Sequence, residues 1–106
     1  MSKQFSVIYC TVPDKKTGIV IARELVEKSF VACVNIVPAI TSIYSWKNEI
    51  CEDDELLLIM KTIKSNFSIV KDTILSLHPY DVPEIISLQL TDGHSDYLDW
   101  ILENVN

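Results

Sequence analysis

Apolar and polar positions along this chain follow two periods that alternate. Phe5 to Val12 (FSVIYCTV) is an apolar, β-branched run, the pattern of a strand. Past Pro13 the period lengthens. Gly18, Ile21, Ala22, Leu25 and Ser29 share a helical face, with Arg23, Glu24, Glu27 and Lys28 away from it. Asp14 stands at the N-cap position, where its charge suits the helix end. Gly18 either weakens this helix slightly or permits close packing on a sheet.

The β pattern returns near Val31 and holds to Thr62. Cys33 to Thr62 (CVNIVPAITSIYSWKNEICEDDELLLIMKT) is two β-rich runs meeting at Lys47-Asn48. Beyond Pro38, Ile40, Ser42, Tyr44 and Trp46 fall on one face, and Thr41, Ile43 and Ser45 on the other. Leu56 to Met60 is too continuously apolar for a sheet face wetted on one side. Asn48 tolerates a left-handed backbone, so the chain is predicted to reverse there. Pro38 predicts a bulge or bend. Together the runs make one hairpin, with arms far longer than the usual strand of about five or six residues. Such arms outrun what a chain this small can bury. Their outer part is predicted to meet another copy of the protein.

Phe67, Val70, Ile74 and Leu77 mark a second helix, with Ser65 as its expected N-cap and Leu77 pointing inward. Pro79 ends it and pushes His78 out of the helical region. Ile85 to Thr91 predicts another strand. Asp92-Gly93 predicts a turn using glycine's access to positive φ. Ser95 or Asp96 is expected to cap a final helix that buries some of Tyr97, Trp100, Ile101 and Val105. The order is β-α-β-β-α-β plus a C-terminal helix. That predicts an α+β, ferredoxin-like domain with an antiparallel sheet, two helices on one face and an extended hairpin between its second and third strands.

Composition narrows the function. The 106 residues, 48% hydrophobic and 23% charged, suit a single domain spanning 1–106. A net charge of −6 argues against nucleic acid and membrane surfaces as partners, since both need a basic footprint. Neither a transmembrane run nor a signal peptide is evident. Cys10, Cys33 and Cys51, odd in number and widely spaced, predict a reducing cytosol rather than a disulfide framework. The absence of CxxC removes the simplest soft-metal chaperone site. The only arginine, Arg23, lies in mid-helix, so no arginine cradle for phosphate is expected.

The densest candidate stretch is His78-Pro79-Tyr80-Asp81-Val82-Pro83-Glu84. It is either a stiff connector or a rigid loop presenting ligands or acid–base groups. Cys10 is either a buried small hydrophobe or a soft-metal ligand near the sheet end where His78 emerges. Cys33 is expected in the core, Cys51 exposed and His94 solvated. Lys61, inside an apolar run, needs a partner if buried, and Glu84 is a candidate. Glu52-Asp53-Asp54-Glu55 is expected to be a solvated stretch near the hairpin tip rather than a metal cup. Tyr44 and Trp46 are core aromatics or, the favoured expectation, anchors of an oligomer interface.

Several of these stretches together resemble the CutA family of divalent-cation tolerance proteins. They are ACVNIVPAITSIYSW, ELLLIMKT, HPYDVPEI, the run Cys10-Thr11-Val12-Pro13-Asp14 and the tail Tyr97-Leu98-Asp99-Trp100-Ile101. They span nearly the whole chain, in order. The resemblance implies a ferredoxin-like subunit in a tight homotrimer, with long hairpins extending the sheets between subunits. It implies a cytoplasmic role linked to copper and other divalent ions, and no enzyme activity. It also implies Cys10 and His78 as metal ligands. Some relatives carry His-His-Pro-Tyr, where this chain has Leu77-His78-Pro79-Tyr80. Asn48 stands where relatives usually have Gly, and Ser45 where many carry a large side chain. The architecture resembles trimeric PII signalling proteins as well. A second reading is therefore a non-metal signalling or scaffold trimer, with Lys61, Tyr80 and Glu84 in its clefts. A third is an enzyme using His78, Tyr80 and Glu84 as acid–base groups.

Overall fold

The computed structural model describes residues 4–106. In chain order they form β1 (Phe5–Val12), α1 (Lys15–Glu27), β2 (Cys33–Trp46), β3 (Glu49–Ile63), α2 (Phe67–Leu77), β4 (Ile85–Gln89) and α3 (Ser95–Glu103). The strands make one antiparallel sheet in the order β2-β3-β1-β4.

Local chemistry explains most element boundaries. Asp14 caps α1 by accepting the Thr17 N–H at 2.8 Å, which holds its carboxyl below the usual carboxylate range. Gly18 permits close packing: a Cβ there would lie 3.3 Å from Val12 Cγ2 and 3.4 Å from Leu58 Cδ2. Lys47 and Asn48 both take positive φ, 50° and 66°, and join the pair Trp46–Glu49 by the two-residue turn that matches strand twist. The register shifts between Val37 and Ile40, with Ala39 left-handed at φ 62°. Pro38 thus sits in the predicted bulge.

Four local expectations need correction. Ser65 does not cap α2, which follows a 3-10 turn at Lys64–Asn66 and has Asn66 at its N-cap position. Asn66 makes no cap bond, because its amide donates to the Phe30 carbonyl at 3.0 Å. Leu77 is 37% exposed; the buried stripe closes at Ile74, and His78 occupies the next buried place. No described glycine has positive φ. A Cβ at Gly93 would lie 3.0 Å from the Leu98 side chain, which would have to shift to admit it. Finally, α3 has His94 at its N-cap position with no side-chain cap bond, and Asp96 lies in the first turn.

The main core fills the space between the sheet and α1 and α2. Ile8, Cys10 and Leu58 meet Ile21, Leu25 and Ile74 there. Strand alternation puts Phe5 and Ile63 on the opposite face, where they pack with Ala32 and Ile101 beside α3. Tyr97 and Trp100 stack on each other at 5.5 Å and stay half exposed. The rest of this second face carries Tyr9, Leu57, Ile59, Ile86 and Leu88, of which Ile86 and Leu88 are exposed.

Candidate functional site

Beyond the bulge the hairpin rises out of the core, and between Ile40 and Glu55 only Glu55 is buried, at 7% exposure. This outer half faces the loop that follows α2. Between them lies a cleft of about 680 Å³. The hairpin supplies Tyr44, Trp46, Asp53 and Glu55, and the loop supplies Tyr80 and Glu84. Asp81 brings the lining carboxylates to four, and the lining includes no Lys, Arg or His.

A line of hydrogen bonds fixes the loop against the sheet. The ring Nε2 of His78 donates to the Thr11 carbonyl at 2.7 Å, which leaves Nδ1 free to accept the Tyr80 N–H at 3.2 Å. The His78 and Tyr80 rings lie 4.6 Å apart. The Tyr80 hydroxyl then donates to Glu55 Oε2 at 2.7 Å. Burial, helped by that bond to Glu55, pushes the Tyr80 phenol well above its ordinary value. A second phenol–carboxylate bond joins Tyr44 to Asp53, and it pushes the Tyr44 phenol up to about 12. The loop is therefore the stiff connector that its two prolines suggested, and it also walls a cleft.

The structure brings Cys10 and His78 together. The Cys10 thiol lies 3.6 Å from the same Thr11 carbonyl that His78 contacts. Cys10 is fully buried, and its thiol is pushed up to about 12 by burial first, then by Glu84 and Glu55. A metal ion here would have to strip that proton and break the hydrogen bonds of His78. Among the described residues, no three His, Cys, Asp or Glu side chains gather where they could hold a metal ion. The chain thus offers dispersed donors rather than a formed metal centre.

Tyr80 and Glu84 reach the cleft as expected, but Lys61 does not line it. Lys61 pairs in register with Cys33, and its Nζ lies 3.9 Å from the Cys33 thiol rather than beside Glu84. Cys33 and Cys51 are both half-buried, and His94 is exposed. Tyr44 and Trp46 form cleft wall and are half exposed, not core. Asp53 and Glu55 are the residues that sequence reasoning missed. The acidic run is no uniform solvated stretch: Glu52 and Asp54 point away, while Asp53 and Glu55 bond to tyrosines. The signal was the strand period of two, which splits adjacent charges onto opposite faces.

A family model described as "CutA1 divalent ion tolerance protein" matches residues 6–104. The chain belongs to the CutA family. The "Divalent-cation tolerance protein CutA" of Thermus thermophilus is 49% identical over 98 residues, covering 92% of this chain and 95% of that protein. The human "Protein CutA" is 45% identical over 96 residues, which is 91% of this chain but 54% of that protein. In three dimensions the chain is similar to the crystal structure of CutA1 from Oryza sativa, with a TM-score of 0.95, 37% identity and coverage of 99% and 96%. Other CutA relatives carry the words "chloroplastic" (Arabidopsis thaliana) and "periplasmic" (Archaeoglobus fulgidus) in their names. Among the described residues, no helix is long and apolar enough to cross a membrane.

Proposed function

We propose that this chain forms a ferredoxin-like homotrimer in the cytoplasm and serves the response to divalent metal ions, copper among them, by binding cations reversibly. The observation that carries this reading is the cleft. Four carboxylates line it without a basic side chain, and Glu55 is buried with no salt-bridge partner among the described residues. A carboxylate taken out of water needs compensating charge. An exchangeable cation supplies it. The carboxylate oxygens suit hard divalent ions, while the Cys10 thiol and His78 imidazole, which suit copper, must first give up a proton and their hydrogen bonds. The role proposed is binding, not catalysis. Assembly is supported by the apolar face around Ile86 and Leu88, and by Ile43 and Ile50 on the outer hairpin, all open to solvent in a single chain. Three free cysteines favour a reducing compartment. The alternative, a PII-like signalling trimer that binds a small ligand, draws on the same cleft, whose volume lies within the usual range for such ligands.

Equilibrium dialysis against copper(II) and manganese(II) tests the binding, with metal measured by mass spectrometry. Glu55→Gln should weaken the uptake of both ions by about tenfold, the worth of one lost charge-assisted contact. Cys10→Ala with His78→Ala should change copper alone. Unchanged uptake in both variants refutes the cation reading. Light scattering that returns the mass of one subunit refutes the trimer.

A further inference from the structure

Support for the outer hairpin ends at one residue. β1 runs beside β3 only as far as the pair Val12–Leu56. On the other side of β3 the register with β2 breaks opposite the same residue. Val37 pairs with Leu57 and Ile40 with Glu55, so Pro38 and Ala39 stand across from Leu56 alone. Pro38 has no N–H to give to the ladder, and Ala39 is left-handed at φ 62°. Both neighbours of β3 therefore lose their hold at Leu56, which makes a hinge line across the sheet. Beyond it, Ile40–Trp46 and Glu49–Glu55 form a two-stranded ribbon of seven residues a side. At about 3.4 Å per residue such a ribbon reaches about 24 Å, so a tilt of about 10° at the hinge carries its tip about 4 Å. Well-packed interfaces match protein interiors in density, and a displacement of that size destroys their fit. An assembly made through this ribbon needs the angle fixed.

One contact is placed to fix it. Glu55 is the first residue past the hinge on β3 and the one buried residue of the ribbon. The Tyr80 hydroxyl donates to its Oε2. Among the described residues, no other side-chain hydrogen bond or ion pair reaches the ribbon from elsewhere in the chain; the Tyr44–Asp53 bond lies within it. Tyr80 is itself held. Its N–H bonds to His78 Nδ1, its ring lies 4.6 Å from the imidazole, and His78 Nε2 donates to Thr11 at the same end of β1. Pro79 stiffens the link between the two residues. The end of β1, the loop and the root of the ribbon are thus tied together through Tyr80.

We propose that the outer hairpin is a lever hinged at Leu56, and that the Tyr80–Glu55 bond is the strap that sets its angle for assembly. This rests on the trimer reading above and adds that the His78–Glu84 loop governs how tightly the trimer holds. The bond lies within one subunit, so it requires no open cleft. With the strap in place the ribbon meets its neighbour already oriented, and less freedom is lost on association.

Subunit exchange tests the strap. Unlabelled and ¹⁵N-labelled trimers are mixed at a temperature where the wild type exchanges over hours, and mixed trimers are followed by native mass spectrometry. Tyr80→Phe removes the hydroxyl and keeps the ring. Glu55→Leu removes the acceptor and leaves no buried charge. Each should speed exchange by about tenfold. The double variant should be no faster than either, because the same bond is lost in all three. Ile74→Val removes one buried methylene from the core of α2 without touching the ribbon, and should exchange at close to the wild-type rate. Unchanged exchange in both single variants overturns the proposal. So do effects that multiply in the double variant, or an equal acceleration in Ile74→Val. Wild type that shows only the mass of one subunit refutes the trimer itself, whereas a trimer that exchanges alike in every variant refutes the strap alone.

Discussion

The hairpin has two halves that look alike in sequence and behave differently in the fold. Inside the bulge, Cys33 to Val37 pairs with Leu57 to Lys61, and Leu58 and Met60 lie fully buried in the core. Outside it, Ile40 to Trp46 pairs with Glu49 to Glu55, and Ile43 and Ile50 are 68% and 79% exposed. Both halves carry β-branched residues, and both complete their ladders. They differ in whether a second layer covers the side chains. A bare two-stranded ribbon is marginal in water, so the inner half must hold the outer half in place. Pairing sets the backbone of both halves. Coverage decides which half stabilises the subunit and which is left to recognise something.

The largest expected effect breaks the inner half. Leu58→Ala should cost about 2–5 kcal/mol, because a fully buried side chain leaves a cavity between sheet and helices. Ile50→Ser should leave the subunit's fold intact and loosen the proposed trimer, read as a rise in subunit dissociation on dilution. Chemical denaturation and light scattering separate the two. Equal stability losses with no change in assembly would erase the distinction between the halves.

The next effect concerns the one buried residue of the outer half. Tyr80→Phe should cost about 1–3 kcal/mol, since it leaves the buried Glu55 carboxylate without its donor. The pH dependence has a definite sign. The Tyr80 phenol sits above its ordinary value of 10.0 in the folded chain. Its contribution is therefore complete below pH 10 and declines as pH rises toward the raised folded value. Urea denaturation should show the gap between wild type and Tyr80→Phe narrowing above pH 10. A gap that stays constant there would mean that folding leaves the phenol's titration unchanged.

What could be read from the sequence was what neighbouring residues decide. Asp14 capping α1, Pro38 in a bulge and a reversal at Asn48 each depend on a few adjacent residues, and the structure has all three. The missed caps show the limit of that locality. Asn66 gives its amide to Phe30, thirty-six positions earlier, and no local pattern records such a partner. The site was legible to the same degree. Tyr80 and Glu84 stood out because two prolines stiffen their loop. Glu55 did not, because its burial depends on the loop returning to cover it. His78 likewise needed Thr11, sixty-seven positions away, to show that both ring nitrogens are engaged.

The smallest expected effect lies at the outer tip, and opposing terms set its sign. The two-residue turn needs positive φ at both positions, for which Asn-Gly is the preferred pair. Lys47 pays for that conformation, which costs an ordinary residue roughly 1–2 kcal/mol. Lys47→Asn with Asn48→Gly relieves much of this. Against it stand the lost contact between Lys47 and Trp46, worth about 0.5–1 kcal/mol at an exposed site, and the extra freedom of glycine in the unfolded chain. The difference should leave the double variant slightly more stable, by roughly 0.5 kcal/mol, with a raised urea midpoint and an unchanged slope. A lowered midpoint would show that the Trp46 ring holds its cation more strongly than the turn resists it. The same ring would then be a better cation receptor than its exposure suggests, and the outer half of the hairpin would be organised by its aromatic wall rather than by its turn.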